Sequence, residues 1–251
     1  MTKPQRKVPR PGNPLRPAPA GDRRWVEEQL LGAGDLLVYG RLAEELEETP
    51  PAEIWKQLRA IAEPYLAGGA DRTERIHQLV DETIDALVAR DQRFGYPPPF
   101  CHKGCCNCCH ELVYCTADEA RLIHDHCQAT GLAIDLAKLE RQLRHVATDA
   151  QGDHTGATTW NDQEEADQAC VFLDPQTGAC RIWPVRPMVC RVHLAEGTDA
   201  HCRPHNGQVD PEVRGIDYLE LSYILTALFT IHRDSIKKTM GRLLLIRAAS
   251  G

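Results

Sequence analysis

Five cysteines lie within nine residues of this chain, in the segment Cys101-His-Lys-Gly-Cys-Cys-Asn-Cys-Cys109. A second set follows at even spacing, at Cys170, Cys180 and Cys190. A thiolate is a soft ligand, and thiolates two or three residues apart can close on one metal ion or cluster. Core packing seldom requires thiols at this density. The sequence therefore predicts a metal site that is assembled from two segments far apart in the chain.

The remaining composition indicates the compartment in which these thiols work. The chain has 251 residues and eleven cysteines, a share above ordinary usage but far below that of a small disulfide scaffold. Residues 1–20 lack the apolar core of a secretory signal, and the longest apolar stretch, 218–231, is too short to span a bilayer. We therefore expect a cytoplasmic protein without a membrane span, whose reduced cysteines bind metal. The alternative is an extracellular disulfide protein.

The net charge of −7 is unevenly distributed along the chain. Residues 1–24 carry seven Lys or Arg against one acid and contain six prolines, whereas the remainder carries a charge of −13. An acidic body argues against a large nucleic-acid-binding surface. The proline-rich basic segment predicts a disordered tail over 1–24, followed by a single domain over 25–251.

Apolar periodicity predicts that this domain is mostly α, with neither strand–helix alternation nor a glycine-rich phosphate loop. One helix start has a specific local signal, because Thr116 and Glu119 form a capping box, and Gly131 should end that helix. The helices are expected at 25–48, 52–67, 71–92, 116–130, 135–146, 216–233 and 235–248.

The cysteine region at 98–205 is expected to be a loop-rich metal knot inserted between the helices. The turn at 174–178 predicts a short β-hairpin between the apolar runs 171–173 and 181–183. The polar, Gly- and Thr-rich segment 150–168 is expected to be a loop.

The spacing of Cys101, Cys105 and Cys108, C-x3-C-x2-C, also occurs in radical S-adenosylmethionine enzymes. Those enzymes usually carry an aromatic residue just before the last cysteine, where this chain has Asn107. They also need a long βα barrel after the motif, and the pattern of this chain does not provide one. A radical enzyme of this kind is therefore the disfavoured alternative.

Adjacent side chains rarely aim at one point, so Cys108 and Cys109 both bind metal only if the backbone bends or two centres lie close together. The alternative is one ligand, Cys108, beside a buried spectator thiol. Cys115 and Cys127 occupy apolar or helical positions and are predicted to belong to the core. The candidate ligands are Cys101, Cys105, Cys108, Cys109, Cys170, Cys180 and Cys190, with Cys202 as a late addition.

These motifs resemble a cysteine-cluster family of zinc- or iron-chelating domain proteins, the CxxCxxCC type, which includes the flagellin lysine N-methylases. The family pattern is C-x3-C-x2-C-C in the first half, followed by C-x-F/Y-L, G-x-C-x-I-Y/W and R-P-x-x-C-R. The resemblance covers about residues 98–195, with Cys106 as an extra thiol, and implies metal or Fe–S binding. The matching residues are Cys101, Cys105, Cys108, Cys109, Cys170, Phe172, Leu173, Gly178, Cys180, Ile182, Trp183, Arg186, Pro187, Cys190 and Arg191.

The irregular spacing favours an iron–sulfur cluster, of the four-iron, four-sulfide type, over zinc, which normally shows two regular C-x2-C knuckles. Arg186 and Arg191 flank Cys190 and are predicted to offset thiolate charge and donate hydrogen bonds to sulfur. The alternative for both arginines is an ordinary salt bridge to the acidic body. Three histidines lie near these cysteines in the sequence and are not expected to bind the metal. They are His193, His201 and His205.

Two functional classes remain open at this point. One is a metal-dependent enzyme that supports a redox or protein-modification reaction on an unidentified protein or small-molecule substrate. The other is a non-catalytic metal protein: a carrier, a sensor, a chelator or a zinc-stabilised structural protein. The sequence shows neither a catalytic acid–base pair nor a cofactor loop that would decide between them.

Overall fold

The computed structural model describes residues 69–93, 98–196, 214–215, 221, 224–225 and 238–250. Within them the fold is mostly helical, as predicted. The expected tail and the helices at 25–48 and 52–67 lie outside the described residues, as does most of the helix at 216–233. The α-helices are α1 (Arg72–Arg93), α2 (Ala117–Thr130), α3 (Leu136–Leu143), α4 (Glu165–Gln168), α5 (Met188–Val192) and α6 (Met240–Ala248).

Three 3-10 helices and two antiparallel strand pairs complete the described elements. The 3-10 helices are Asn107–His110, Trp160–Asp162 and Trp183–Val185. Strand β1 (Val146–Thr148) pairs with β2 (His154–Thr158), and β3 (Ala195–Glu196) pairs with β4 (Arg214–Gly215).

The start and end of α2 confirm the sequence signals for that helix. The Thr116 hydroxyl accepts from Glu119 N at 3.1 Å, while Glu119 Oε2 accepts from Thr116 N at 2.8 Å. These two bonds satisfy amide donors that the first helical turn leaves free. Gly131 ends the helix with φ of +68°, and Leu132 N bonds back to Cys127 O at 2.9 Å.

The predicted loop at 150–168 is wrong in part. Strand β2 occupies 154–158, and α4 occupies 165–168. The helix expected over 135–146 ends at Leu143, because Val146 pairs with Thr158. Val146 and Thr158 are β-branched, and such side chains fit a pleated strand even in a polar segment.

The predicted hairpin around 174–178 is present only as a turn closed by a single bridge. Leu173 bridges Cys180, and Arg181 N donates to Phe172 O at 2.9 Å. The run 181–183 does not continue as a strand, because Ile182 precedes the 3-10 helix and turns its side chain into the core. Packing of Phe172 and Ile182, both almost fully buried, therefore replaces strand pairing here.

Two apolar cores position the cysteine region. The first is formed by α2, α3 and α6 together with the segment 171–185. A fully buried side chain such as Phe172 contributes about 1.5–3 kcal/mol there. The members of this core are Cys115, Ala120, Ile123, Cys127, Leu139, Val171, Phe172, Ile182, Val185, Met240, Leu243 and Leu244.

The second core joins α1 to α5 and to residues 221, 224 and 225. Ile76 and Val80 of α1 pack in this cluster with Met188 of α5, which is fully buried. The helix predicted at 71–92 is confirmed, with each end shifted by one residue. Helix α6 begins at Met240, because Thr239 is in extended backbone that bridges Tyr114, and the expected start at 235 lies outside the described residues.

Candidate metal centre

The first cysteine segment begins with a loop that reverses tightly at Gly104. Gly104 has φ of +100°, and Cys105 N donates to His102 O at 3.0 Å. A residue with a side chain rarely adopts such a φ, so glycine suits this reversal. Because of this turn, the chain between Cys101 and Cys105 folds back instead of running extended.

One turn of 3-10 helix, Asn107–His110, then carries the adjacent cysteines. Cys109 N bonds to Cys106 O at 3.0 Å as this turn begins. A 3-10 helix has about three residues per turn, so neighbouring side chains diverge by roughly a third of a turn. The backbone is also bent here, which is one of the two conditions that the sequence sets for Cys108 and Cys109 both to bind metal.

Main-chain hydrogen bonds join the first cysteine segment to the second. Cys170 N donates to Cys109 O at 2.7 Å, which places the first residue of the second set beside the last residue of the first set. Leu173 bridges Cys180, so the turn that follows Cys170 returns the chain to the same place. Cys170 and Cys180 both pack against the edge of the first apolar core.

The turn at 174–178 rests directly on the first cysteine loop. Gly178 has φ of +67°, and a Cβ on it would stand 2.9 Å from Gly104 O and 3.6 Å from Cys106 Sγ. The contact of 2.9 Å is closer than a real Cβ tolerates. Glycine is thus required at residue 178 both by the backbone angle and by the loop that packs on it.

Replacing Gly178 with alanine should therefore reduce both stability and metal content, and Gly131 provides a matched control. Gly131 has nearly the same φ, +68°, but nothing lies within 4 Å of its added Cβ. Both variants should lose about 1–2 kcal/mol from left-handed backbone strain. Only Gly178→Ala should also separate the two cysteine segments. Urea unfolding and metal analysis of both variants measure this, and equal effects in the two would contradict the docking of the turn.

Cys190 reaches the cluster from the short helix α5. The 3-10 helix Trp183–Val185 and Pro187, with φ of −54°, turn the chain, and Cys190 N bonds to Pro187 O at 3.0 Å. The motif R-P-x-x-C therefore forms a compact turn that ends at the partly buried Cys190.

Cys101 is held against the segment 193–195, which follows α5 in the chain. Its Sγ accepts from Ala195 N at 3.3 Å and donates to His193 O at 3.5 Å. Phe100 N also donates to Ala195 O at 2.9 Å. The first residue of the first cysteine set is thus tied to the chain just beyond Cys190.

Five thiols lie close enough for the charge of one to affect the protonation of the others. Burial raises the pKa of Cys170 to about 11, and the pKa values of Cys180 and Cys190 are also raised, first by burial and then by neighbouring thiolates. These effects agree with the geometry, in which Cys170 N donates to Cys109 O and Leu173 bridges Cys180. The five are Cys108, Cys109, Cys170, Cys180 and Cys190.

Within this group the two adjacent thiols, Cys108 and Cys109, differ in the direction of their pKa shifts. The Cys109 thiol donates a hydrogen bond to Cys108, which lowers the pKa of Cys108 to about 6 against the opposing effect of burial. The charges of His193 and Arg186 lower it further. The same hydrogen bond, together with burial, raises the pKa of Cys109. Cys108 is therefore the more readily ionised of the two thiols.

Arg186 lies at the edge of the thiol group. Its guanidinium carbon stands 3.6 Å from the centroid of the Trp183 ring, a cation–π contact. Burial and the charge of Arg191 lower the pKa of Arg186, whereas Cys190 and Cys180 act in the opposite direction. Arg186 Nε is buried and has no hydrogen-bond partner among the described residues. A buried guanidinium N–H that lacks a partner beside several thiols could donate a hydrogen bond to a group bound among those thiols.

Arg191 is engaged elsewhere. Its Nη1 donates to Asp81 Oδ2 at 2.5 Å, its Nη2 to Pro184 O at 2.6 Å and its Nε to Arg186 O at 3.0 Å. Only 4% of the Arg191 side chain is exposed. This arrangement corresponds to the ordinary salt bridge that the sequence left as the alternative for Arg191.

The other thiols have more varied positions. Cys115 and Cys127 are buried in the first apolar core, which confirms their predicted place. Asn107 Nδ2 donates to Cys105 Sγ at 3.9 Å. All ten cysteines in the described part of the chain are free thiols. Cys202, His201 and His205 lie outside the described residues.

The donor set suits a soft metal or an iron–sulfur cluster, although the shell is not closed. In the part of the chain that the structure describes, no three Cys, His, Asp or Glu side chains are already placed to coordinate one ion. The half-buried thiols nevertheless gather from three turns around one region, and thiolates are the ligands that such centres prefer.

Sequence reasoning missed two contacts that support this region from α1. His77 Nε2 bonds to Glu119 Oε1 at 3.1 Å, and the same oxygen accepts from Met188 N at 2.6 Å. Asp81 pairs with Arg191 as described above. The capping box did point to Glu119, but no sequence signal links residues so far apart.

Residues 100–208 match the model of the CxxCxxCC family, described as a "putative zinc- or iron-chelating domain". The segment that gathers the thiols lies within the matched range. No curated protein and no solved structure matches the chain. Among the described helices, none is long and apolar enough to cross a membrane.

Proposed function

Since residues 100–208 carry a domain of the CxxCxxCC family, we propose that the chain holds a metal centre between its two cysteine segments and that this centre is an iron–sulfur cluster. The family description supports metal binding through the cysteines without deciding between zinc and iron. The choice of iron is our own and rests on the surroundings of the thiols.

The observation that carries this proposal is Arg186 Nε, which has no hydrogen-bond partner in the described part of the chain and lies beside a surplus of thiols. A single tetrahedral zinc ion takes four ligands, whereas at least five thiols gather here. Bridging sulfides of a cluster also accept hydrogen bonds, and such bonds tune its potential. Arg186, partly buried and close to Cys180 and Cys190, would donate one to a bound cluster.

The proposed ligands are drawn from Cys108, Cys109, Cys170, Cys180 and Cys190, with Cys101 and Cys105 completing the set from the first loop. When bound, a cluster would supply one-electron transfer to a protein or small-molecule partner. The protein contributes the thiolates, the partial exclusion of water by the apolar core, and the cationic Arg186 beside them.

A zinc-stabilised structural protein is the second candidate, favoured by the position of Cys170 and Cys180. Both pack against the edge of the apolar core, where a closed four-thiolate zinc site would join the first cysteine segment to the second.

Metal analysis of the full chain purified without air tests both candidates. We expect iron and acid-labile sulfide in near-equal amounts and a broad absorption in the visible range. Stoichiometric zinc in colourless protein would overturn the iron proposal in favour of the structural candidate, since Zn²⁺ is d¹⁰ and gives no visible colour. A chain without either metal would contradict both.

A further inference from the structure

Helix α1 lies outside the range matched by the family model, yet it packs on the short helix that carries Cys190. The matched range is 100–208, and α1 spans Arg72–Arg93. Ile76 and Val80 of α1 share an apolar cluster with Met188, the first residue of α5. Apolar contacts of this kind hold two helices together but do not by themselves set the orientation of Cys190, which lies two residues after Met188.

A buried carboxylate supplies the first oriented contact between α1 and α5. Glu119 is 1% exposed, and its Oε1 accepts from both His77 Nε2 and Met188 N. Burial would raise the pKa of Glu119, but the hydrogen bond and charge of His77, with the amides of Thr116 and Met188, outweigh it and lower that pKa. A carboxylate only accepts, so His77 Nε2 carries the hydrogen. The first amide of α5 is thereby anchored to α1 through Glu119.

An ion pair supplies the second contact, on the other side of Cys190. Asp81 accepts from Arg191, whose remaining donors hold the carbonyls of Pro184 and Arg186. The Asp81 side chain is 49% exposed, whereas that of Arg191 is 4% exposed. A guanidinium so deeply buried needs a counter-charge. Asp81 provides that charge and fixes the direction in which the guanidinium binds the turn.

The two α1 residues stand four positions apart and therefore lie on one face of the helix. We propose that His77 and Asp81 are positioning residues of the metal centre, which fix the backbone of α5 before and after Cys190 through Glu119 and Arg191. This inference rests on the metal-binding function proposed above. It assigns to α1 a part of the site that the family-matched range does not contain, so residues 100–208 alone would hold the metal less well.

The geometry explains why such partners matter for binding. A ligand set must be held within about 0.5 Å of its productive arrangement. Loss of a hydrogen-bonding partner behind the ligands typically lowers metal affinity 10–100-fold. Asp81→Asn removes the charge that orients Arg191 while leaving every cysteine in place. We therefore expect Asp81→Asn to weaken metal binding by roughly tenfold or more.

The test is an anaerobic titration of the full-length chain with Co²⁺, whose absorption reports both affinity and thiolate coordination. The matched control is Asp118→Asn, which removes a different carboxylate, one that joins α1 to α2 by pairing with Arg72. Asp118→Asn should bind Co²⁺ as the wild type does. Asp81→Asn should bind it more weakly and with an altered spectrum, and Asp81→Glu should restore both.

A further variant keeps the proposal testable if Asp81→Asn alone fails to fold. The double variant Asp81→Asn/Arg191→Gln leaves no buried charge unpaired, yet it still lacks the contact between α1 and α5. It should also show weakened Co²⁺ binding. Wild-type affinity and spectrum in the Asp81 variants would overturn the positioning role alone. A wild-type chain that binds no Co²⁺ and contains no metal would overturn the metal-binding function, and the positioning role with it.

Discussion

Replacing Cys180 with serine in the full chain should lower the amount of bound metal by at least about tenfold. Cys180 lies among the converging thiols, and a hydroxyl is a harder and poorer ligand than a thiolate for soft metals. The backbone bridge between Cys180 and Leu173 does not depend on the thiol, so the local turn should survive the substitution. Metal content after anaerobic purification measures the effect.

Cys127→Ser is the matched control for this prediction. Cys127 is 3% exposed within the first apolar core, where a new hydroxyl should cost about 1–3 kcal/mol of folding stability. It should leave the metal content close to that of the wild type. Urea unfolding and metal analysis of both variants separate the two effects. If Cys127→Ser lost as much metal as Cys180→Ser, the assignment of ligands by position would have no support.

Removing the metal with a chelator should loosen the two cysteine segments before the helices. A centre bound by both segments closes a loop of about 60 residues between Cys109 and Cys170, so its binding energy becomes folding energy for this part of the chain. Amides in 105–111 and 174–181 should exchange much faster in the metal-free protein.

Helices α1 and α2 serve as internal references in the same hydrogen-exchange experiment. Their buried apolar residues, such as Val80 and Ile123, pack without any contribution from the metal. Phe172 and Ile182 also lie in the core, so their immediate neighbours should lose less protection than the turn at 174–178. Unchanged protection of this turn in the metal-free chain would mean that the metal binds to a preformed fold and contributes little to it.

The accuracy of the sequence predictions follows the range of the interactions involved. Helix α2 was predicted closely because its capping box and terminal glycine act within a few residues. The segment 150–168 was predicted as a loop because its polar composition hides the pairing of Val146 with Thr158, which is 12 residues away. The predicted hairpin is present as one bridge only, because Ile182 packs into the apolar core instead of continuing a strand. In each error, a contact between separated residues outweighed the local pattern.

The candidate site shows the same division. The spacing of the thiols was sufficient to predict metal chemistry, because ligand type is a property of the residues themselves. It was not sufficient to separate the roles of the two arginines. Arg191 forms an ion pair with Asp81, which lies 110 residues earlier in the chain, whereas Arg186 lies beside the thiols.

By itself, the sequence determined the helical character of the body, the ends of α2 and the residue types that can bind a soft metal. These depend on contacts between residues three or four apart and on intrinsic ligand chemistry. Only the tertiary structure decided which thiols converge and how Cys190 is held. Those outcomes depend on packing: Met188 N meets Glu119 across 69 residues, and Gly178 meets Gly104 because one turn rests on another. No local pattern encodes such meetings, since they arise only when the helices pack.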